Sequence, residues 1–307
     1  MRIAHISDFH FTTFFSTNNL SQVEQALRFA VELESDHIVI TGDLTDNAVP
    51  KDFLLLRKLF DKLGILNGNK LSLVIGNHDI FGGVQTAEDI FLFAGKCSRT
   101  DYNKKIQDFY SYFPELFNNS AYFNPETVFP FAKVFNGFLF IGLNSIAEYS
   151  KVNNPFASNG IISMEQIAGM TSILDRFRQM HLRKIVMVHH HFNKIKIKDN
   201  SKNSFWQNIE KQTMKLKKKK RLLRIFQGEG IELVLHGHYH ESRDYKRKGI
   251  RFSNAGASFI NENKMEIYIN IIDIEKKIDV NIVKLPVQKK APTDLELMLD
   301  DREDTGY

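Results

Sequence analysis

Five short polar clusters in this sequence combine the side chains that bind divalent metal ions. Eight of the chain's 11 histidines lie in them. Imidazole nitrogens together with carboxylate oxygens suit borderline divalent metals such as Mn, Fe or Zn. Because scattered core histidines would not gather in this way, the clusters predict a metal site. They are Ser7-Asp8-Phe9-His10, Thr41-Gly42-Asp43-Leu44-Thr45-Asp46, Gly76-Asn77-His78-Asp79, His189-His190-His191 and His236-Gly237-His238-Tyr239-His240.

The clusters offer more donors than one ion needs. Seven or eight candidate ligands indicate two ions about 3.5–4 Å apart, an arrangement that holds the attacking and leaving oxygens of a phosphate displacement. A structural zinc site would normally use cysteines, and Cys97 is the chain's one cysteine. The chemistry that these residues predict is therefore metal-dependent phosphate cleavage.

Each cluster directly follows a short apolar run that is typical of a buried strand. The predicted strands cover residues 2–7, 37–41, 71–75, 184–188 and 231–235. In α/β proteins, ligands bind at the carboxyl ends of the strands, so we expect the clusters to meet there. Asp8 and His10 are two residues apart, as are His238 and His240, and in an extended backbone that spacing places both side chains on one side.

The first strands alternate with predicted helices. Ser21 and Glu24 form a capping box ahead of a helix to residue 34, and Pro50 and Gly64 are placed to begin and end a second helix. This βαβαβ order predicts parallel strands with right-handed crossovers. Further helices are expected over residues 101–117, 163–180 and 205–226, and further strands over 138–143, 250–253, 265–272 and 278–285.

The chain is expected to form one domain over residues 1–291, with an acidic and flexible tail at 292–307. Residues 81–128 resemble an insertion over the site. The predicted strand from the second residue leaves no room for a signal peptide, and no apolar run approaches the ~18 residues of a membrane span. The single cysteine suits a reducing compartment, so we expect a cytoplasmic protein.

The net charge of +5 hides an asymmetry between tail and body. The tail holds six acidic residues and one arginine, which leaves 40 basic residues against 30 acidic ones in the body. Lys215 to Arg224 is the most basic stretch. A solvated helix explains it, and contact with a polyanion, either nucleic acid or anionic lipid, is the alternative.

Taken together and in this order, Asp-x-His, Gly-Asp, Gly-Asn-His-Asp, His-His and Gly-His-x-His resemble the calcineurin-like metallophosphoesterase superfamily. The resemblance covers residues 3 to about 260. It implies a four-layer α/β/β/α sandwich with two mixed β-sheets flanked by helices, and a binuclear site at the strand ends. It also implies attack on the substrate by a metal-bound hydroxide, without a covalent enzyme intermediate.

The resemblance also implies a role for each site residue. Asp8, His10, Asp43 and His240 would hold one metal ion. Asp43 would bridge to a second ion held by Asn77, one histidine of the 189–191 run and His238. His78 would face the scissile phosphate as a catalytic residue that is not a ligand.

The triple histidine departs from the family's usual pattern, which is a histidine pair followed by proline. Phe192 stands in the proline position, and alignment on it favours His190 over His189 as the ligand. Neighbours on a strand point to opposite faces, so the two are not expected to ligate equivalently. Several further residues receive supporting roles. His5 and His37 are expected to be buried structural histidines, and Asp46 and Asp79 to orient ligands, while His236 is expected to be structural.

The favoured function is hydrolysis of a small phosphodiester, with cyclic-nucleotide phosphodiesterases as the nearest familiar members of the family and manganese as the favoured metal. A DNA or RNA nuclease on the same fold is the alternative, and a non-catalytic scaffold is the third. Residues 81–128 and 144–160 are expected to line the substrate side.

Overall fold

The computed structural model of the chain describes residues 1–13, 18–83, 87–192, 216–256 and 266–288. The expected acidic tail at 292–307 lies outside these residues, as does most of the helix expected at 205–226. The boundary at residue 291 and the insertion at 81–128 stay predictions. In the described part of the chain, no helix is both long and apolar enough to cross a membrane.

The first sheet has five strands. They are β1 (Arg2–Ile6), β2 (His37–Ile40), β3 (Leu71–Leu73), β10 (Glu266–Ile274) and β11 (Ile278–Pro286). Their order across the sheet is β11-β10-β1-β2-β3. β1, β2 and β3 run parallel, while β10 pairs antiparallel with β1, which confirms the expected parallel βαβαβ unit.

The second sheet has six strands. They are β4 (Phe131–Phe135), β5 (Phe138–Gly142), β6 (Arg183–Met187), β7 (Ile231–His236), β8 (Arg243–Arg247) and β9 (Ile250–Asn254). Their order across the sheet is β4-β5-β6-β7-β9-β8. The central strands β5, β6, β7 and β9 are parallel, so the carboxyl ends of β6 and β7 lie at one edge.

Seven α-helices are described. They are α1 (Asn18–Glu32), α2 (Pro50–Lys62), α3 (His78–Phe81), α4 (Ala87–Arg99), α5 (Tyr102–Tyr112), α6 (Met164–Arg176) and α7 (Lys219–Gly228). α1 begins three residues before Ser21, so the capping box predicted there lies inside the helix. Sequence patterns did not predict α3, α4, β4 or β8.

Neighbouring side chains on the strands of the second sheet point to opposite faces and pack into two different cores. Phe140 and Ile185 belong to the larger core, which they share with the strands of the first sheet. Ile141 and Val186, each one residue further along, belong to a second core with α6 and α7. α1 and α2 pack into the larger core from the side of the first sheet. The expected sandwich of two mixed sheets flanked by helices is confirmed.

Buried polar side chains join the two sheets. His5 on β1 contacts Thr41 Oγ1 at 3.0 Å and, across the interface, Ser253 Oγ on β9 at 3.1 Å. Burial lowers the pKa of His5 to about 3, so the ring is neutral. Lys133 Nζ on β4 donates to the carbonyls of Gly68 and Leu71 beside β3 at 3.0 and 2.8 Å. These bonds fix the register of one sheet against the other, and with it the relative position of their carboxyl ends.

Candidate metal centre

The five polar clusters meet at the carboxyl ends of β1, β2, β3, β6 and β7. Among the described residues, three groups of side chains bring their donor atoms within 4.8 Å of one another. His10 belongs to the group of Asp8 and to the group of Asp46, so these two groups are continuous. The remaining group, that of Asp43, lies next to them because Asp43 approaches His10. The groups are Asp8 with His10 and His240, Asp43 with His189 and His238, and His10 with Asp46 and His78.

The carboxylate of Asp43 lies between the first two groups. Its Oδ2 is 3.2 Å from His189 Nε2 and 3.7 Å from His10 Nε2, while its Oδ1 accepts a hydrogen bond from the backbone N–H of His78 at 2.8 Å. Burial alone would raise the pKa of Asp43, but His189 and His78 hold it well below its usual range. Asp43 is therefore an ionised, fully buried carboxylate that faces both groups at once.

His189 shows how closely the donors converge. Its Nδ1 lies 2.7 Å from the carbonyl oxygen of Thr41, and because a carbonyl only accepts, Nδ1 carries a hydrogen. Its Nε2 lies 3.2 Å from Asn77 Oδ1 and 3.0 Å from His238 Nδ1. In the neutral ring, Nε2 would present a lone pair to the oxygens of Asn77 and Asp43.

The lone pair of His189 Nε2 and the oxygens of Asn77 and Asp43 repel one another unless a positive charge lies among them. A proton on the ring of His189 supplies part of that charge. Burial lowers the pKa of His189, but Asp43 outweighs burial and raises the pKa to about 9. A divalent cation satisfies all the acceptors together, since imidazole, amide and carboxylate groups are its usual ligands. The donor set therefore fits a metal ion.

Asp8 anchors the other group. Both of its carboxylate oxygens accept from the backbone N–H of His238, at 3.1 and 3.0 Å, and its Oδ1 lies 3.7 Å from His240 Nε2. Burial raises the pKa of Asp8 to about 6, which reflects the cost of holding this charge away from water. The group around Asp8 and the group around Asp43 together indicate a binuclear divalent metal site.

Five of the residues that supply donor atoms have backbone in the left-handed region. The φ angles are 57° at Asp8, 45° at His10, 50° at Asp43, 68° at His238 and 54° at His240. Such angles are uncommon for residues other than glycine. The expectation that each two-residue spacing acts through extended backbone is therefore wrong. Asp8 and His10 do meet in one group, but His238 and His240 separate into different groups.

Two glycines allow the backbone to approach the carboxylates. A Cβ added at Gly76 would overlap with the backbone nitrogen and Oδ1 of Asp43, and one added at Gly237 would overlap with Ser7 Oγ and with Asp8 Oδ2. Neither neighbour can withdraw without moving a donor. Gly76 and Gly237 are thus required by the close packing of the clusters rather than by a turn.

The sequence favours His190 as the ligand, but the structure groups His189 with Asp43 and His238. His190 Nδ1 contacts Ser145 Oγ at 2.8 Å, and its Nε2 contacts the carbonyl oxygen of Ser158 at 3.1 Å. Both ring nitrogens are thus engaged by the 144–160 segment. β6 ends at Met187, so the strand alternation used to separate the two histidines no longer applies where they lie. No sequence pattern marked Ser145 or Ser158 as partners of the site.

Asp46 and Asp79 hold the site in different ways. Asp46 Oδ1 lies 3.2 Å from His10 Nδ1 and 3.1 Å from His78 Nδ1, so it orients both rings. Asp79 accepts from the backbone N–H groups of Thr45 and Gly76, each at 2.9 Å. It therefore braces the two loops after β2 and β3 and does not contact a ligand ring.

His78 lies at the open side of the cluster. Its side chain is 23% exposed and that of His240 is 36% exposed, whereas Asp8, Asp43, His189 and His238 are buried. Burial lowers the pKa of His78, but the carboxylates of Asp43 and Asp46 outweigh it and raise the pKa to about 10. His236 contacts Tyr245 OH at 2.8 Å, and His5 and His37 lie between the sheets. All three are outside the donor groups.

Comparison with known proteins agrees with this geometry. Residues 1–242 match the family described as calcineurin-like phosphoesterase. A search of curated proteins found no match. The structure is similar to a dimetal phosphatase from Danio rerio, with a TM-score of 0.57 and 10% sequence identity over 94% of this chain and 99% of that one.

A second solved structure has a similar fold. It is a purple acid phosphatase from seeds of yellow lupin, Lupinus luteus, with a TM-score of 0.54 and 13% identity. The alignment covers 96% of this chain and 52% of that one. At these identities the likeness concerns the fold.

Replacement of Asp43 by asparagine tests its place between the two groups. The change Asp43→Asn keeps the size of the side chain but removes the charge that both groups face, so we expect both ions to be lost. Metal content measured by mass spectrometry should fall towards zero, whereas His240→Gln should remove one ion preferentially. The control is Asp108→Asn, which changes a partly exposed carboxylate that pairs with Lys104 on α5. Retention of two ions in Asp43→Asn would rule out the shared role.

Paired variants of the adjacent histidines test which of the two binds metal. We expect His189→Gln to lose metal, because its Nε2 faces the donor group. His190→Gln should retain metal, but its free energy of unfolding should fall by about 1–3 kcal/mol, the cost of disturbing buried hydrogen bonds. Metal content and urea denaturation measured on both variants separate the two roles. Loss of metal from His190→Gln alone would show that His190 is the ligand after all.

Proposed function

The chain belongs to the calcineurin-like phosphoesterase family and is a binuclear phosphoric ester hydrolase, and from that premise we propose that it hydrolyses small phosphodiesters such as cyclic nucleotides. The observation that carries the proposal is the position of His78. Its ring is partly exposed at the open side of the cluster, and its backbone N–H is bonded to Asp43. A phosphate that reaches the two donor groups from solvent would meet the exposed rings of His78 and His240.

We assign the ligands from the donor groups. Asp8, His10, Asp43 and His240 would hold one ion, and Asp43, Asn77, His189 and His238 the other. Bound there, two divalent ions would lower the pKa of a water molecule and neutralise charge on the phosphoryl oxygens. Manganese is the favoured metal because the set combines imidazole and oxygen donors without a thiolate.

The protein's own groups orient the substrate and carry a proton. Asp46 contacts Nδ1 of His78 through its side chain at 3.1 Å and through its carbonyl oxygen at 3.2 Å, which fixes the plane of the ring. Since Nδ1 faces the oxygens of Asp46, a protonated ring would also donate from Nε2. That N–H can stabilise charge on a phosphoryl oxygen or protonate the departing alkoxide.

The nuclease alternative depends on the basic run. Two of its described cations, Lys217 and Lys218, precede α7, and the others lie on it. The apolar residues of α7, Leu222, Leu223 and Phe226, are buried against the second sheet. This arrangement is that of an ordinary solvated helix face. Contact of the run with nucleic acid or anionic lipid stays a prediction, as does a cytoplasmic location.

A turnover panel with added Mn²⁺ tests the proposed function. The substrates are bis-p-nitrophenyl phosphate, cyclic nucleotides, phospholipid headgroup diesters and single-stranded DNA. We expect turnover of the small diesters and little cleavage of DNA. Preferential cleavage of DNA would favour the nuclease, and no turnover of any ester by metal-loaded protein would contradict hydrolysis.

The role of His78 predicts a dependence on the leaving group. General acid catalysis contributes about 10²–10⁴-fold, so His78→Ala should slow hydrolysis of a diester with an alkoxide leaving group by about that factor. The loss should be smaller for p-nitrophenyl esters, because p-nitrophenolate departs without protonation. The measurement is kcat for matched alkyl and p-nitrophenyl diesters, normalised to bound metal.

Two other results would change that assignment. Equal losses on both leaving groups would favour stabilisation of charge on the phosphoryl oxygens. A variant that loses metal or thermal stability, while its rate per bound metal pair stays near that of the wild type, would show that His78 only braces the turn.

A further inference from the structure

A small cleft borders the metal centre on the side of His78. Its volume is about 100 Å³. One wall is the loop that follows β2 and the other is α4. The cleft is lined by Asn47, Gly83, Leu92, Phe93 and Lys96.

Gly83, one of the residues that line the cleft, lies against His78 and Asp46. The backbone N–H of Gly83 donates to the carbonyl oxygen of Asp46 at 2.7 Å. A Cβ added at Gly83 would lie 2.6 Å from Cε1 of the His78 ring and 3.1 Å from Oδ1 of Asp46. Asn47, on the other wall, directly follows Asp46 in the chain. A group that occupies the cleft is therefore next to the ring that would face the scissile phosphate.

The lining combines a positive charge with an apolar surface. Lys96 Nζ lies over Gly82, where an added Cβ would be 2.5 Å from it. Phe93 is 8% exposed and forms a buried apolar surface, whereas Leu92 is 69% exposed and stands at the rim. An ammonium group above an apolar wall suits a ligand with a carbon chain and an anionic end.

A second cation lies close to the same loop. Lys105 Nζ on α5 donates to the carbonyl oxygen of Ala48 at 3.1 Å. Burial lowers the pKa of Lys105, Asp108 opposes that shift, and the charges of Lys96 and Lys104 lower the pKa further. The like charges of Lys96 and Lys105 therefore act on each other, and an anion in the cleft would relieve that repulsion.

We propose that this cleft binds an anionic substituent of the substrate, a phosphate or a carboxylate, with Lys96 as the residue that pairs with its charge. The substituent belongs to the group esterified to the scissile phosphate, and the carbon chain that joins the two lies against Leu92 and Phe93. The proposal rests on the proposed function. It narrows the substrate class to phosphodiesters that carry a second negative charge.

A homologous series of synthetic diesters tests the cleft. The compounds are p-nitrophenyl alkyl phosphates whose alkyl chain ends in a phosphate, a carboxylate or a hydroxyl group, with chains of about two to six carbons to vary the distance between the two charges. All release the same p-nitrophenolate, so the ratio of kcat/KM for an anionic end to that for a hydroxyl end reports recognition of the second charge.

In the wild type, that ratio should reach about tenfold at the best chain length, the effect of one charge-assisted hydrogen bond. Lys96→Gln should bring it close to one. Arg99→Gln removes the same charge three residues further along α4, outside the residues that line the cleft, and should leave the ratio unchanged. The preference should also weaken as salt is added. The series with the higher ratio, phosphate or carboxylate, identifies the substituent that the cleft binds.

Failure of this inference differs from failure of the proposed function. If the wild type hydrolyses the series but shows a ratio near one at every length, the cleft does not bind an anion. A ratio that is high in the wild type and unchanged in Lys96→Gln would likewise overturn the role of Lys96. Absence of turnover on the whole series, by protein that holds two metal ions, would contradict the proposed phosphodiesterase itself.

Discussion

Much of this structure depends on one buried carboxylate, that of Asp43. The removal of a carboxylate from water costs several kcal/mol unless charge and hydrogen bonds compensate it. Its partners come from three separate places, His10 after β1, the backbone N–H of His78 after β3, and His189 after β6. Since β1 and β3 belong to one sheet and β6 to the other, the compensation of a single charge requires both sheets to end at the same point.

The same requirement explains why the backbone is strained there. Five of the donors have left-handed backbone, at a cost of roughly 1–2 kcal/mol each. A fold tolerates such residues where the surrounding structure determines them. Here the two apolar cores and the polar contacts between the sheets hold the donor residues in these conformations. A cation that binds only the folded arrangement adds stability through its binding free energy, so the strained donors and the metal are thermodynamically coupled.

Sequence patterns predicted the clusters and their meeting point well, because a short apolar run followed by polar residues marks the end of a buried strand. They failed where local backbone departs from regular geometry. His189 and His190 lie beyond the last residue of β6, so strand alternation could not choose between them. Ser21 and Glu24 satisfied a capping pattern that the actual start of α1 at Asn18 overrode. The cleft that α4 forms with Asn47 depends on tertiary packing that no local pattern encodes.

The difference between buried and exposed residues explains why reaction type is easier to infer than substrate. The donors are buried and their identity is dictated by metal chemistry, whereas the surfaces that we propose meet a substrate belong to α4, α5 and the 144–160 segment. These surfaces are nevertheless tied to the centre. Tyr102 OH on α5 donates to the carbonyl oxygen of Ile146 at 2.6 Å, and Ser145 Oγ contacts His190 Nδ1 at 2.8 Å. Because His190 adjoins His189, a change in the outer segment can alter the orientation of a donor as well as the shape of the substrate pocket.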